Sequence, residues 1–221
     1  MARLNGSQLL IPLVLTVLAV ISAALTIAAK RRGSKRGEYV FKPLTTALII
    51  GVALAADDPI SQTYHALIVA GLVASLAGDV FLMLPDRFVP GLLSFLVAHI
   101  FYIVAFTLES SGQAPIWYVI PFALYGAVML RWLWPHLGPL RVPVLAYMGV
   151  ILIMAYQAAN RWIETDQDGA FLALAGAYLF VASDSALAVE RFRGRFRGAD
   201  FWVLSTYFAA QLLIAWSVYA R

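Results

Sequence analysis

The chain contains eight apolar stretches long enough to cross a lipid bilayer, and the short segments joining them alternate in charge. A spanning helix needs about 20 mostly apolar residues. By that rule the stretches lie at approximately 8–29, 40–56, 62–84, 91–109, 115–134, 141–160, 169–190 and 200–219. Lipid offers no partners for free backbone N–H and C=O groups, so such segments become helices. The expectation is an all-α integral membrane protein with a single eight-helix transmembrane domain over residues 1–221. Composition agrees: 62% of residues are hydrophobic and 13% charged, against roughly 45–50% apolar in soluble domains. No cysteine is present, which excludes disulfides, thiolate metal ligands and a cysteine nucleophile. The pI of about 9.5 calls for a membrane explanation, because no soluble domain remains on which a nucleic-acid surface could be built.

The first apolar run exceeds the roughly 7–15 residues of a signal-peptide core. Its basic cluster KRRGSKR follows the run instead of preceding it, so it reads as a retained helix. Lys and Arg collect in cytoplasmic loops, which tests the count of eight. With the N-terminus outside, the inner loops hold Lys30, Arg31, Arg32, Lys35, Arg36, Arg87, Arg131, Arg141, Arg191, Arg193, Arg195 and Arg197, 12 of the 16 basic residues. The outer segments hold Arg3, Arg161 and Arg221 together with Asp57, Asp58, Glu109, Glu164, Asp166 and Asp168, and Lys42 lies at the inner mouth of the second helix. Eight spans with both termini on the non-cytoplasmic side satisfy every loop, and a bacterial plasma (inner) membrane is the expected location. The basic, aromatic-interleaved RFRGRFRG is read as an ordinary positive-inside loop in preference to a lipid or nucleic-acid patch.

Two halves of the chain resemble each other. Gly78-Asp79 in SLAGDVFLML and Ser183-Asp184 in SDSALAVE each place a small residue and an Asp near the inner end of an odd-numbered helix. Upstream, KPLTT opens helix two and RVPVLAY opens helix six, each with a basic residue and a Pro in the first turn. The Pro-to-Asp distances are 36 and 41 residues. An offset of four helices makes this a 4+4 parallel repeat.

At 1.5 Å per residue, Asp79 lies about 7–8 Å above the inner end of its helix, Asp184 about 9 Å and His99 about 12 Å. Lys42, Ser94, Ser183, Tyr102, Tyr207 and Gln211 fall at comparable or slightly greater depth. Together they outline one polar cavity opening toward the cytoplasmic leaflet. An ionised Asp in lipid costs at least about 2.5–3.5 kcal/mol, so such a residue faces a cavity or a partner. The bland alternatives are a tie between helices, with Asp79 or Asp184 paired to Lys42 or accepting from Ser75 or Ser183, and His99 as a helix–helix contact. His65 and His136 lie near opposite membrane edges and read as incidental. A zinc site wants three or four clustered ligands, and one suitable His does not suggest a metal. No G-x-S-x-G elbow and no Gly-rich phosphate loop is present.

KPLTT at 42–46, GDVFLM at 78–83, GLLSFLVAHIFY at 91–102, RVPV at 141–144 and SDSALA at 183–188 resemble the YhhN family of membrane proteins, to which lysoplasmalogenases belong. The likeness spans about residues 40–219. It implies an eight-helix bundle and, for the family's characterised members, hydrolysis of the vinyl ether of a lysophospholipid, a lysoplasmalogen, to a fatty aldehyde and a glycerophospho-base; no cofactor is expected. The chemistry suits the residues. Proton transfer to the β-carbon gives an oxocarbenium-like centre, water adds, and the hemiacetal collapses. Burial and a neighbouring carboxylate keep one carboxyl of a pair protonated, and glycosidases set a similar pair against a similar transition state. Asp79 and Asp184 are therefore expected as the acid and base, in either order, with His99 orienting water or a carboxylate and Lys42 holding the lipid phosphate. Ser94, Tyr102, Ser183, Tyr207 and Gln211 line the substrate site. The competing classes are a proton-coupled transporter of a small solute or lipid, a lipid-binding or assembly protein with a structural Asp pair, and a hydrolase of another lysolipid. Oligomeric state is not legible.

Overall fold

In the computed structural model, residues 6–108, 110 and 115–219 are described; Arg3, Glu109 and Arg221, used above in the charge pattern, lie outside them. The described residues form α1 (Gly6–Arg31), α2 (Lys35–Leu54), α3 (Gln62–Met83), α4 (Phe88–Leu108), α5 (Val119–Leu133), α6 (Arg141–Thr165), α7 (Asp168–Arg193) and α8 (Ala199–Trp216), with no strand among them. Six are long and apolar enough to cross a membrane: α1 to α4, α6 and α7. The protein is thus a multi-pass integral membrane protein. Large apolar side chains such as Leu10, Val17, Leu93, Leu124 and Val142 face outward, as a lipid-solvated bundle requires.

The α1/α2, α3/α4 and α7/α8 hairpins pack most closely, and α4 meets α6 while α2 meets α8. Small residues permit these approaches, as van der Waals packing between membrane helices demands. At Gly71 an added Cβ would lie 2.2 Å from the Tyr102 ring, and at Gly176 it would lie 2.9 Å from the carbonyl oxygen of Ala210. The core runs through Ile49, Tyr64, Leu72, Phe95, Tyr102, Met154, Phe180 and Phe208. The short α5 lies at the edge, against α6 and α7.

Two helices depart from their expected bounds in ways that matter. α2 begins at Lys35, because the Ser34 hydroxyl accepts from the Gly37 N–H at 3.3 Å and Glu38 sits in the first turn, a favourable N-terminus. KPLTT therefore does not open α2; Pro43 lies inside the helix, and Lys42 is carried into the bundle. α6 runs to Thr165, ending at Asp166 in the left-handed region. Arg161, counted above as an outer-loop cation, is consequently fully buried in α6, stacked 4.3 Å over the Tyr64 ring and donating to its hydroxyl. α5 has only fifteen residues, between 3-10 turns at Ile116–Tyr118 and Trp134–His136.

In RFRGRFRG, α7 continues through Arg193 and the turn uses Gly194 and Gly198 at positive φ. Arg191 lies over Phe88 and Arg193 over Trp132. These cations rest on rings of the protein itself.

Candidate functional site

Asp79, on α3, is fully buried at the meeting of α2, α3 and α8. Its Oδ2 accepts from the Thr46 hydroxyl at 2.6 Å and the Tyr207 hydroxyl at 2.7 Å. The Lys42 ammonium stands 3.1 Å from Oδ1, a charge contact without hydrogen-bond alignment, since Oδ1 has no well-formed hydrogen bond. Lys42 and Thr46 are four residues apart on α2 and so share a face. The network continues behind Tyr207, where the Gln211 amide donates to the Tyr207 hydroxyl at 3.2 Å and Tyr102 donates to Gln211 Oε1 at 2.9 Å. A buried carboxylate with a cation and two O–H donors is held in one geometry by three helices.

Asp184, on α7, is half-buried. Among the described residues it has one hydrogen-bond partner, the Tyr147 hydroxyl of α6, which donates to Oδ2, and no cation at ion-pair distance. Between the two carboxylates lies a set of rings: Phe95 packs edge-on to Phe180 and Tyr207, and His99 packs edge-on to Tyr147 and Phe180.

The two Asp residues line one polar cavity of about 620 Å³, with Lys42, Ser183, Leu187 and Tyr207. Its mouth carries Lys30, Glu38, Glu190 and Asp200. There Lys30 pairs with Glu38 at 2.7 Å, and Arg195 bridges Glu190 and Asp200. A second cavity of about 710 Å³, between α4, α5, α6 and α7, is almost wholly apolar, walled by Leu92, Met129, Leu133, Met148, Ile151, Leu152 and Val181. Leu82, Phe95, Asp184 and Leu187 border both cavities, which puts Asp184 at their junction and Asp79 on the polar side alone.

The expected residues are thus only partly gathered. Asp79, Asp184, Lys42, Ser183 and Tyr207 line the polar cavity, while Tyr102 and Gln211 stand behind it in the hydrogen-bond chain. Lys42, expected at the interface as a phosphate contact, is nearly buried and turned onto Asp79, a result of the early start of α2. Ser183 donates to the Val203 carbonyl and Ser94 to the Pro90 carbonyl, and Ser94 borders neither cavity. His99 is fully buried, and neither ring nitrogen has a partner; it contacts no carboxylate. His65 ties α3 to the Ala53 carbonyl of α2 at 2.9 Å. No group of three His, Asp or Glu among the described residues is placed to hold a metal. Thr46 and Tyr147, outside the expected set, also reach the carboxylates. Both sit inside motifs already quoted, KPLTT and RVPVLAY, each one helical turn beyond a residue that had been noted.

Known proteins resemble this chain over most of its length. The YhhN family profile matches residues 37–218. The membrane protein YhhN of Escherichia coli O157:H7 is 32% identical over 202 residues, covering 90% of this chain and 95% of that protein. Human lysoplasmalogenase TMEM86B is 36% identical over 158 residues, 71% of this chain and 65% of that protein. The lysoplasmalogenase of Mycobacterium bovis is 30% identical over 206 residues, 89% and 76% of the two chains. No solved structure matches. The matched region runs from the first turns of α2 to the end of α8 and takes in both carboxylates and, Lys30 apart, the walls of both cavities, and the chain belongs to the YhhN family.

Proposed function

We propose that the protein is an intramembrane hydrolase that cleaves the vinyl ether bond of lysoplasmalogens, with Asp79 and Asp184 as its acid and base. The observation that carries this reading is that both carboxylates line a polar cavity and one of them, Asp184, stands where it meets an apolar one. A lysoplasmalogen has the same two-part character: a single alkyl chain, then a vinyl ether, then a glycerophospho-base. In this reading its chain lies in the apolar cavity beside α5, its headgroup in the polar cavity, and the scissile bond between them. At the mouth the Lys30–Glu38 and Arg195–Asp200 pairs meet the headgroup, while Lys42 stays with Asp79. The names of the human and mycobacterial relatives support the substrate class.

In this reading all eight helices cross the bilayer, both termini lie outside, and α3–α4 and α7–α8 correspond as halves of a parallel repeat. Fifteen α-helical residues rise about 22 Å. The flanking 3-10 turns add about 2 Å per residue, enough to carry α5 across. The polar mouth then opens at the inner leaflet, where single-chain lipids have access.

Filling the apolar cavity tests the fit. Val181→Phe places a ring in the space assigned to the alkyl chain. The expected result is a KM raised about tenfold for long-chain substrate, on the scale of about 1–3 kcal/mol for a small overpacking, and little change for a short-chain analogue. Equal effects on both chain lengths would mean that the chain lies elsewhere.

A further inference from the structure

The inference here rests on the hydrolase reading and deepens it. The surroundings of the two carboxylates differ, and so does their place along the substrate. Asp79 has a lysine at 3.1 Å and two hydroxyl donors, and O–H donors bind an ionised carboxylate more strongly than a neutral acid. A lysine buried at this depth also needs an anion beside it. Asp184 has no cation and one neutral donor, and it alone of the two faces the apolar cavity. In a vinyl ether the β-carbon, which must be protonated, continues the alkyl chain. The α-carbon, which water attacks, is bonded to the oxygen on the headgroup side. With the chain in the apolar cavity, the β-carbon comes nearest Asp184 and the α-carbon lies toward Asp79.

We infer that Asp184 gives the proton to carbon and Asp79 receives the proton of the attacking water, with Tyr147 as the residue that positions Asp184. The C=C electron pair takes the Asp184 proton and forms the β-C–H bond, leaving an oxocarbenium. Water oxygen bonds to the α-carbon, and its proton passes to the Asp79 carboxylate. As the hemiacetal collapses, its hydroxyl proton returns to Asp184, the carbon–oxygen bond to glycerol breaks, and the glycerol oxygen takes the proton held by Asp79. One water is consumed and both carboxyls return to their starting states.

Chemical rescue separates the two roles. Formate at neutral pH is an anion that can replace a missing base but cannot serve as a proton donor. Aldehyde release by the wild-type protein first decides the hydrolase reading, and its absence overturns the inference as well. In an active protein, Asp79→Gly and Asp184→Gly are each expected to lose about a hundred- to ten-thousandfold in rate. Sodium formate should restore Asp79→Gly by about tenfold or more and leave Asp184→Gly unchanged. Rescue of Asp184→Gly, of both, or of neither overturns the assignment while leaving the hydrolase reading intact. Should a glycine variant fail to fold, the conservative Tyr147→Phe and Thr46→Val carry the test. In a 1:1 mixture of H2O and D2O, the deuterium content at the aldehyde α-carbon is set by the group that protonates it. Tyr147→Phe should change that ratio and Thr46→Val should not; the opposite result overturns the assignment.

Discussion

Asp184→Asn should cut aldehyde release from a lysoplasmalogen by about a hundred- to ten-thousandfold, the usual contribution of a general acid or base, while the protein stays folded in detergent. The structural expectation is as specific as the catalytic one. Asp184 is half-buried, accepts one hydrogen bond from Tyr147 and faces no cation. An asparagine is the same size, and its carbonyl oxygen can accept the same bond. The exchange strands no charge and opens no cavity, so the melting temperature should move by no more than a few degrees. Circular dichroism and a thermal scan, measured beside aldehyde release, separate loss of chemistry from loss of structure. Near-wild-type turnover would remove Asp184 from the reaction.

Lys42→Met is expected to act chiefly on stability. It leaves Asp79, with no exposed surface, as a buried carboxylate without its cation, and breaking one side of a buried pair costs about 3–5 kcal/mol. The double variant Lys42→Met/Asp79→Asn removes both charges and should recover most of that loss while remaining inactive. A buried ion pair need not stabilise a fold relative to apolar residues of similar size, so the recovery can be nearly complete. The coupling energy from this cycle measures the Lys42–Asp79 contact directly. Strict additivity would mean that the ammonium and the carboxylate do not meet in the folded protein.

These two variants also mark what was legible in the amino-acid sequence. Long apolar runs broken by charged loops were enough to locate the helices, because lipid admits so few backbone conformations. Asp79 and Asp184 stood out because a carboxylate is costly in an apolar segment. The environment of each was less accessible. Pro43 resembles a start signal and so puts Lys42 at a helix mouth, whereas the Ser34 cap and Glu38 begin α2 earlier. The apolar run alone ends α6 before Arg161 and makes it a loop cation; the longer helix buries it against Tyr64. Thr46 and Tyr147 drew no attention because hydroxyl residues are common in membrane helices, and only the packing of α2 on α3 and of α6 on α7 shows which ones reach a carboxylate. His99 gave the opposite error of emphasis: an intramembrane histidine suggests function, yet its ring contacts in the fold are aromatic.

The division into a polar and an apolar cavity has no signature along the chain, because its walls come from α1 through α8 at scattered positions. It is nevertheless what distinguishes this site from a simple tie between helices. A structural pair would need only Lys42 and Asp79. The second carboxylate, at the border of an apolar cavity, is the one that the proposed lipid reaction would use.

The most direct measurement is to incubate the purified protein with a panel of lysophospholipids of one headgroup and chain length, carrying a vinyl ether, an alkyl ether or an acyl ester, and to follow the products by mass spectrometry. The expected result is fatty aldehyde and glycerophospho-base from the vinyl ether alone, lost in Asp184→Asn. Fatty acid from the ester with no aldehyde, or uptake of a solute into proteoliposomes with every lysolipid unchanged, would contradict vinyl ether hydrolysis.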